Sequence, residues 1–578
     1  MPGDDASNFE SDTSSGKGVN QESGFRSTDA LDLQTDGIQI SFAVFRSLNE
    51  IQKFLTTNMS QGDAVSFNLT DHFVDRHLRE GRGQKVAIRC GGSVYTYDAL
   101  AADVNRAGNG LLRLGLQDEQ RVLLLLPDCP EFVVAYFAVI KIGAVAVPTT
   151  TAGRAGDYDY FLRESKARIL IVHSTLFSEV APILGSQHSL RHVIVVGEHG
   201  PRYMHWNEWL AQNSPELDAA TTTAEDVAFW LWTSGSTGLP KASVHLHSDW
   251  VCCCRNYSAE VLGIGPDDTT FSSSKLFHAY GLGNGLMFPF YAGASTVLFP
   301  GKVQAKAVLE IAQTARPTLF FSVPTLYAQM LQEAERESYC LDSIRLAVSA
   351  AEPLPAEIFR RWERKFGVEI LDGIGSTEAL HIYLSARPGN VKPGSTGKEV
   401  PGYKLRIVDS ENREVPPGTI GDLHVTGASI APCYWNRRQL TAERMLGRWF
   451  STGDKFWMDE DGYYWYAGRS DDMFRVSGQW VSPFEVESAL IEHECVLEAA
   501  VVAYRENTGL YTPKAFVVVR EGIAATPDLA RELQEFVKRR ITPYKYPRHI
   551  EFTDKLPKTA AGKLLRYKLR GLASGTST

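Results

Sequence analysis

Short apolar runs punctuate the middle of the chain: Val122 to Leu126, Ile169 to Val172, His192 to Val196, Val227 to Trp232 and Thr318 to Ser322. Each is bounded by polar or turn residues and reads as a buried strand. Helical patterns lie between them, at Pro130 to Ile142, Lys306 to Ala315 and Pro324 to Ala334. This alternation predicts an α/β architecture with largely parallel sheets. Residues 403–470 change character, with short strands set off by Pro416-Pro417-Gly418 and Asp459-Glu460-Asp461-Gly462. They predict a β-rich subdomain. After it comes an α+β tail, with helices expected at Pro483 to His493 and Pro527 to Arg540 and strands at Glu498 to Tyr504 and Ala515 to Arg520.

The 578 residues exceed one ordinary domain. Residues 1–37 are rich in Ser, Asp, Gly, Asn and Gln, a composition that supports no core. Residues 38–58 hold enough apolar positions for a short helix. The expected division is therefore a disordered or weakly ordered extension over 1–58, a large N-terminal domain over 59–470, and a small mobile C-terminal domain over 471–578. The large domain is expected to stack α/β subdomains and add the β-rich one.

Hydrophobic residues make up 44% and charged residues 22%, a soluble globular balance. A net charge of −9 argues against general affinity for nucleic acid or an anionic membrane. No apolar run reaches the length of a membrane span. The first forty residues are polar and acidic rather than basic then apolar, so no secretory signal is expected. The eight cysteines include no Cys-x-x-Cys pair, and zinc is not suggested. The run Cys252-Cys253-Cys254 reads as small apolar filler in a reduced, cytoplasmic protein.

The chemistry begins at Thr233-Ser234-Gly235-Ser236-Thr237-Gly238-Leu239-Pro240-Lys241. It follows a strand, packs four hydroxyls and two glycines into six residues, then places a lysine. Glycines allow close backbone approach, and N–H groups with hydroxyls make an anion cradle. The Walker loop does not match, because Pro240 stands where its second glycine belongs and Ala242 follows the lysine. Four further signals are individually weak. Gly375-Ser376-Thr377-Glu378 offers a carboxylate suited to a Mg²⁺ that also binds phosphates. Ser451-Thr452-Gly453-Asp454 offers an aspartate suited to ribose hydroxyls. Gly468-Arg469-Ser470-Asp471-Asp472 marks the start of the tail, and Pro557-Lys558-Thr559-Ala560-Ala561-Gly562-Lys563 is a basic loop near the chain end.

Taken in order, these motifs resemble the superfamily of adenylate-forming enzymes: acyl- and aryl-CoA ligases, luciferases and peptide-synthetase adenylation domains. The resemblance spans about residues 60–572. Within it the chain is most similar to benzoate-CoA ligases, at Lys275-Leu276-Phe277-His278-Ala279-Tyr280-Gly281-Leu282-Gly283-Asn284, at Asp372-Gly373-Ile374-Gly375-Ser376-Thr377-Glu378-Ala379-Leu380-His381-Ile382, and at Val476-Ser477-Gly478-Gln479-Trp480-Val481-Ser482-Pro483-Phe484-Glu485. The resemblance implies two steps. ATP and an aromatic carboxylate give an aryl-adenylate and pyrophosphate, and the thiol of coenzyme A then displaces AMP.

By the same resemblance, residues Thr233 to Lys241 would hold phosphates, and Glu378 with the Thr233 hydroxyl would hold Mg²⁺. Thr377 would belong to the ATP site. Asp454 would take the ribose, with Arg469 nearby, while Ala351, Glu352, Gly373 and Ile374 would border the adenine. Lys563 would bridge the attacking carboxylate and the α-phosphate. Asp471 would be the hinge of a small domain that presents either Lys563 or a thiol tunnel formed by Arg475, Ser477 and Gly478. His278, Ala279, Tyr280, Gly375, His381 and Ile382 would line the aryl pocket. The substrate would be benzoate or a hydroxy- or aminobenzoate. Two alternatives stay open: an enzyme loading a carrier protein's phosphopantetheine, and a non-catalytic ligand-binding relic.

The chain departs from the family pattern in places. Ala242 follows the loop lysine where glycine is usual, Ala351 stands where benzoate ligases carry glycine, and Arg475 replaces a lysine. His278 replaces a phenylalanine, which puts the choice of ring substituent in question.

Overall fold

A computed structural model describes residues 66–186, 189–198, 200, 202–233, 239–476, 479–506, 510–558 and 564–573. The expected extension over 1–58 lies outside them. So do Ser234, Gly235, Ser236, Thr237, Gly238, Ser477, Gly478 and Lys563.

Two large sheets organise the first four hundred residues. One has seven strands in the order Met204–His205, His192–Val196, Ile169–His173, Arg121–Leu125, Val145–Pro148, Val227–Thr233, Lys241–Leu246. All its pairings are parallel except the last. The other has nine strands and a parallel centre running from Ile370–Gly375 through Leu346–Ser349, Leu319–Ser322, Thr269–Ser272 and Ser295–Leu298 to Val86–Cys90. Antiparallel strands close both edges.

Alternation along each strand explains why the runs look uniformly apolar. Val122 and Leu124 enter the large central core, whereas Leu123 and Leu125 enter a second core shared with Tyr158, Phe161 and Leu162. Likewise Leu319 and Phe321 face the central core, and Phe320 packs on Tyr327 and Trp362 on the other side. Both faces are covered, so no polar face is needed. The helix Pro130–Lys141 lies in the central core with every residue but Glu131 buried, as expected for a helix that is apolar on all sides.

The β-rich segment forms a five-stranded antiparallel sheet from Lys404–Val408, Gly421–Thr426, Met445–Leu446, Trp449–Met458 and Tyr464–Arg469. The tail has a three-stranded sheet, Val496–Arg505, Tyr511–Val519 and His549–Phe552, packed with the helices Pro483–Ile491, Pro527–Arg540 and Arg566–Ala573. The helix expected to reach His493 stops at Ile491, and the strands expected from Glu498 and Ala515 begin earlier, at Val496 and Tyr511. A further pair of strands, Phe474–Val476 and Gln479–Val481, was not expected. Among the described residues no helix is long and apolar enough to cross a membrane.

Candidate active site

The two ends of the Ser/Gly-rich segment Thr233 to Lys241 are fixed by the sheet. Thr233 and Lys241 are register partners across the antiparallel pair Val227–Thr233 and Lys241–Leu246. Lys241 Nζ lies 3.7 Å from Glu378 Oε1 and 4.0 Å from the centre of the Tyr434 ring. Tyr434 donates its hydroxyl to the same Glu378 oxygen at 2.6 Å. Burial pushes the Lys241 ammonium below its usual pKa, and Glu378 opposes that shift. The result is a dehydrated carboxylate–ammonium pair at the mouth of the loop. Sequence reasoning missed Tyr434, which reaches the site because residues 433–435 run along Lys241–Leu246.

The turn carrying Glu378 is braced from behind. Thr377 offers its carbonyl to His245 Nε2 at 2.8 Å and accepts from Leu380 N–H at 3.2 Å. His245 Nδ1 faces Asp249 Oδ2 at 2.8 Å, and the ring stacks on Phe229. Leu380 holds φ +71°, a strained value for a buried side chain.

A cavity beside this turn is lined by Ala351, Glu352, Pro353, Asp372, Gly373, Ile374, Gly375, Asp454 and Arg469, among others. Asp454 and Arg469 are partners across neighbouring strands, with Arg469 Nη1 3.0 Å from Asp454 Oδ1. The Asp454 charge pushes the Arg469 pKa upward. Thr325 donates to Glu352 Oε2 at 3.0 Å. Asp372 is buried at the cavity wall, its Oδ1 has no hydrogen-bond partner among the described residues, and burial raises its carboxyl pKa well above the usual range.

Ala351 sits at φ +72°, in the left-handed region. Only glycine occupies that region without steric cost, which is the physical reason a glycine belongs here. Ala351→Gly is therefore expected to raise stability by about 1 kcal/mol, the strain relief exceeding the added unfolded-chain entropy. A shift of the urea midpoint at unchanged slope measures it, and a lower midpoint would contradict it.

The proposed aryl-pocket residues come from two segments. His278 precedes the short helix Ala279–Leu282, which continues into a π-helical turn, Gly283–Met287. Gly283 approaches His381 so closely that a Cβ there would lie 2.4 Å from the ring. The loop before His278 is anchored by buried Asp128, which accepts Leu276 N–H at 3.0 Å and lies 3.4 Å from Lys275 Nζ. Tyr280 donates its hydroxyl to the Ser322 or Val348 carbonyl, each at 3.2 Å, which leaves its ring rather than its polar tip to face a ligand. Gly375 is small for a backbone reason, since a Cβ would stand 2.4 Å from the His381 carbonyl oxygen. Ile382 is buried against Gly373. His381 lies among Trp250, Tyr257, Tyr280 and Phe288, and among the described residues neither ring nitrogen has a hydrogen-bond partner of acceptable geometry. Burial lowers the pKa of His278 to about 4 and of His381 to about 3, so both rings are neutral near pH 7.

The tail caps the same cavity with Phe484, Glu487, Glu498, Leu556, Lys558 and Arg566. Asp471 is exposed, and its neighbour Asp472 pairs with Arg566 at 3.5 Å and Arg570 at 2.7 Å. Arg566 also forms a two-pronged pair with Glu487. Arg475 is exposed, stacks on Trp480 at 4.6 Å, and does not line the cavity. Among the described residues no group of three His, Cys, Asp or Glu side chains converges as a metal cage.

Two family models match this chain: AMP-binding enzyme over residues 74–435 and AMP-binding enzyme C-terminal domain over residues 485–563. The chain belongs to the AMP-binding enzyme family. It is 46% identical to the benzoate–CoA ligase of Thauera aromatica, over 87% of this chain and 96% of that protein. It is 41% identical to the 4-hydroxybenzoate–CoA/benzoate–CoA ligase of Rhodopseudomonas palustris, over 88% and 95%. Among solved structures, the anthranilate CoA ligase AuaEII in complex with anthranoyl-AMP superposes with a TM-score of 0.85 at 40% identity, covering 88% of this chain and 97% of that one. A benzoate CoA ligase from Burkholderia xenovorans LB400 superposes at 0.81 with 41% identity, covering 87% and 100%. The family fold is thus that of an adenylate-forming enzyme, with α/β sheets in a large first domain and a smaller second one.

Proposed function

We propose that this enzyme is an AMP-forming acid–thiol ligase that converts benzoate or an ortho-substituted benzoate to its coenzyme A thioester. The observation that carries the reading is a cavity lined by Asp454 and Arg469 and capped by the small domain, beside the turn that sets Glu378 against Lys241. The named relatives act on benzoate or hydroxybenzoate, and the AuaEII structure holds an anthranoyl-adenylate.

A carboxylate has no usable leaving group, so the first step creates one. A carboxylate oxygen attacks the α-phosphorus of ATP, and the bond to the β-phosphate bridging oxygen breaks to release pyrophosphate. Such phosphoryl transfer asks for alignment and charge neutralisation. Lys241 and the cradle loop hold the departing phosphates, Asp454 accepts the ribose hydroxyls, and Asp372 accepts the adenine amino group. Lys563, outside the described residues, donates to the charge developing between carboxylate and α-phosphate. Glu378, a buried carboxylate beside Lys241, fits a Mg²⁺ site, with the Thr233 hydroxyl as a second oxygen. That ion would neutralise phosphate charge. In the second step the small domain turns about Asp471, the thiol sulfur attacks the acyl carbon, its proton leaves, and the carbon–oxygen bond to AMP breaks.

The neutral imidazole of His278 favours a ring substituent that hydrogen-bonds it. A site that pairs with a substrate polar group rejects the analogue lacking it more strongly than an apolar wall rejects one extra methylene. His278→Phe is expected to move the kcat/KM ratio of 2-hydroxy- or 2-aminobenzoate to benzoate about tenfold toward benzoate, the worth of about 1.4 kcal/mol of pairing. The measurement compares benzoate with 2-hydroxy-, 2-amino-, 3-hydroxy- and 4-hydroxybenzoate in both proteins. Unmoved ratios would remove His278 from substituent recognition. The ligase reading is tested by benzoate-dependent exchange of labelled pyrophosphate into ATP, and no aryl-dependent exchange would refute it.

A further inference from the structure

The two domains meet along a polar seam at the edge of the cavity. On the large-domain side, the helix Pro324–Arg336 presents Thr325 in its first turn, Gln329 one turn later and Arg336 in its last. On the small-domain side stand Glu498, Arg520, Glu521 and Lys558. Lys558 Nζ lies 2.7 Å from Glu498 Oε2 and donates to Thr325 Oγ1 at 3.3 Å. Thr325 in turn donates its hydroxyl to Glu352 Oε2 at 3.0 Å. Gln329 Nε2 donates to Glu498 Oε1 at 3.4 Å, Arg336 pairs with Glu521, and Arg520 lies 3.8 Å from Glu335.

Three observations bear on Lys558. It and Glu498 both line the nucleotide cavity, and their side chains are only 18% and 14% exposed, so the pair has shed most of its water. A donor–acceptor chain runs from its ammonium through the Thr325 hydroxyl to the Glu352 carboxylate, each hydroxyl site used once. Burial raises the Glu352 carboxyl pKa and the Lys558 charge opposes that rise, so the ammonium favours the ionised acceptor when the domains are docked. Finally, Lys558 pairs with Leu564 across an isolated bridge, and Leu565 N–H donates to the Pro557 carbonyl at 2.8 Å. The two ends of the segment that contains Lys563 are thus tied together at Lys558.

We propose that Lys558 is a positioning residue for adenylation: its ammonium, oriented by Glu498, latches the small domain to Thr325 and Glu352 and holds the ends of the Lys563-bearing segment at the cavity. The proposal rests on the ligase reading above. Rotation about Asp471 opens the latch, so it contributes nothing to the thioester step.

The test is a double-mutant cycle on the full chain, Lys558→Met with Thr325→Val, reading two half-reactions. Adenylation is followed by benzoate-dependent pyrophosphate exchange, and thioester formation by release of AMP from synthetic benzoyl-adenylate and coenzyme A. Lys558→Met should lower the adenylation kcat roughly tenfold, as expected for a lost charged hydrogen bond. KM for ATP and the thioester rate should stay within about twofold. The double variant should be no slower than Lys558→Met alone, because both substitutions break one link. Lys558→Arg should recover part of the rate. Should Lys558→Met fail to fold, Thr325→Val with Glu498→Gln forms the cycle instead. Additive losses, or equal losses in both half-reactions, would overturn the latch. Absence of aryl-dependent exchange in the unmodified enzyme would overturn the ligase reading instead, a separate result.

Discussion

Lys563→Ala is expected to lose adenylation by roughly 10²-fold or more, while thioester formation from preformed aryl-adenylate survives. The size follows from removing a charge-stabilising donor in a water-poor site, where one such group is worth about 2.7–4 kcal/mol. The selectivity follows from domain geometry. The small domain's Glu487, Glu498, Lys558, Leu564 and Arg566 line the cavity in the pose described, which places the two ends of the Lys563 segment there. Arg475 is exposed and does not line that cavity. A domain that must turn to bring Arg475 inward carries the two ends of that segment out. Quenched-flow measurement of each half-reaction separately reads the effect. Equal loss in both would mean that Lys563 serves substrate binding generally and that the two-pose account fails.

Asp471→Pro should do the reverse, with adenylation retained within about threefold and thioester formation reduced by about 10²-fold, as expected where a hinge gates one step. Proline fixes φ and removes an N–H. Among the described residues, Asp471 N–H makes no hydrogen bond in this pose, whereas Asp472 and Met473 both donate to Arg469. The substitution therefore removes no bond from the adenylation pose and restricts rotation out of it. The ion pairs of Asp472 with Arg566 and Arg570 remain to hold that pose. A thioester rate equal to that of the unmodified enzyme would place the hinge elsewhere.

What the sequence discloses here depends on distance along the chain. The large parallel sheets are legible because a strand covered on both faces must be apolar at every position, as at Val122 to Leu125 and Leu319 to Phe321. Helices with proline at their first turn are legible for the same local reason, as at Pro130, Pro324 and Pro527. The strand pair Phe474–Val476 and Gln479–Val481 is not, because it is too short to show a period. Contacts that join distant segments leave no local mark. Tyr434 meets Glu378 across 56 positions, His245 meets Thr377 across 132, and Lys558 meets Thr325 across 233. The motifs name Glu378 and the basic loop, but the residues that hold them become visible only when the chain is folded. The strain at Ala351 is likewise hidden, since φ +72° has no signature beyond the alanine itself.

The central claim is that this enzyme activates an aromatic acid through an adenylate. The most direct measurement incubates the full chain with benzoate, 2-hydroxybenzoate or 2-aminobenzoate carrying ¹⁸O in the carboxylate, together with ATP, Mg²⁺ and coenzyme A, and analyses all products by mass spectrometry. The account predicts aryl-CoA, pyrophosphate and AMP in equal amounts, with one ¹⁸O atom transferred to the AMP phosphate. ADP and phosphate in place of AMP and pyrophosphate, or AMP without the label, would contradict it.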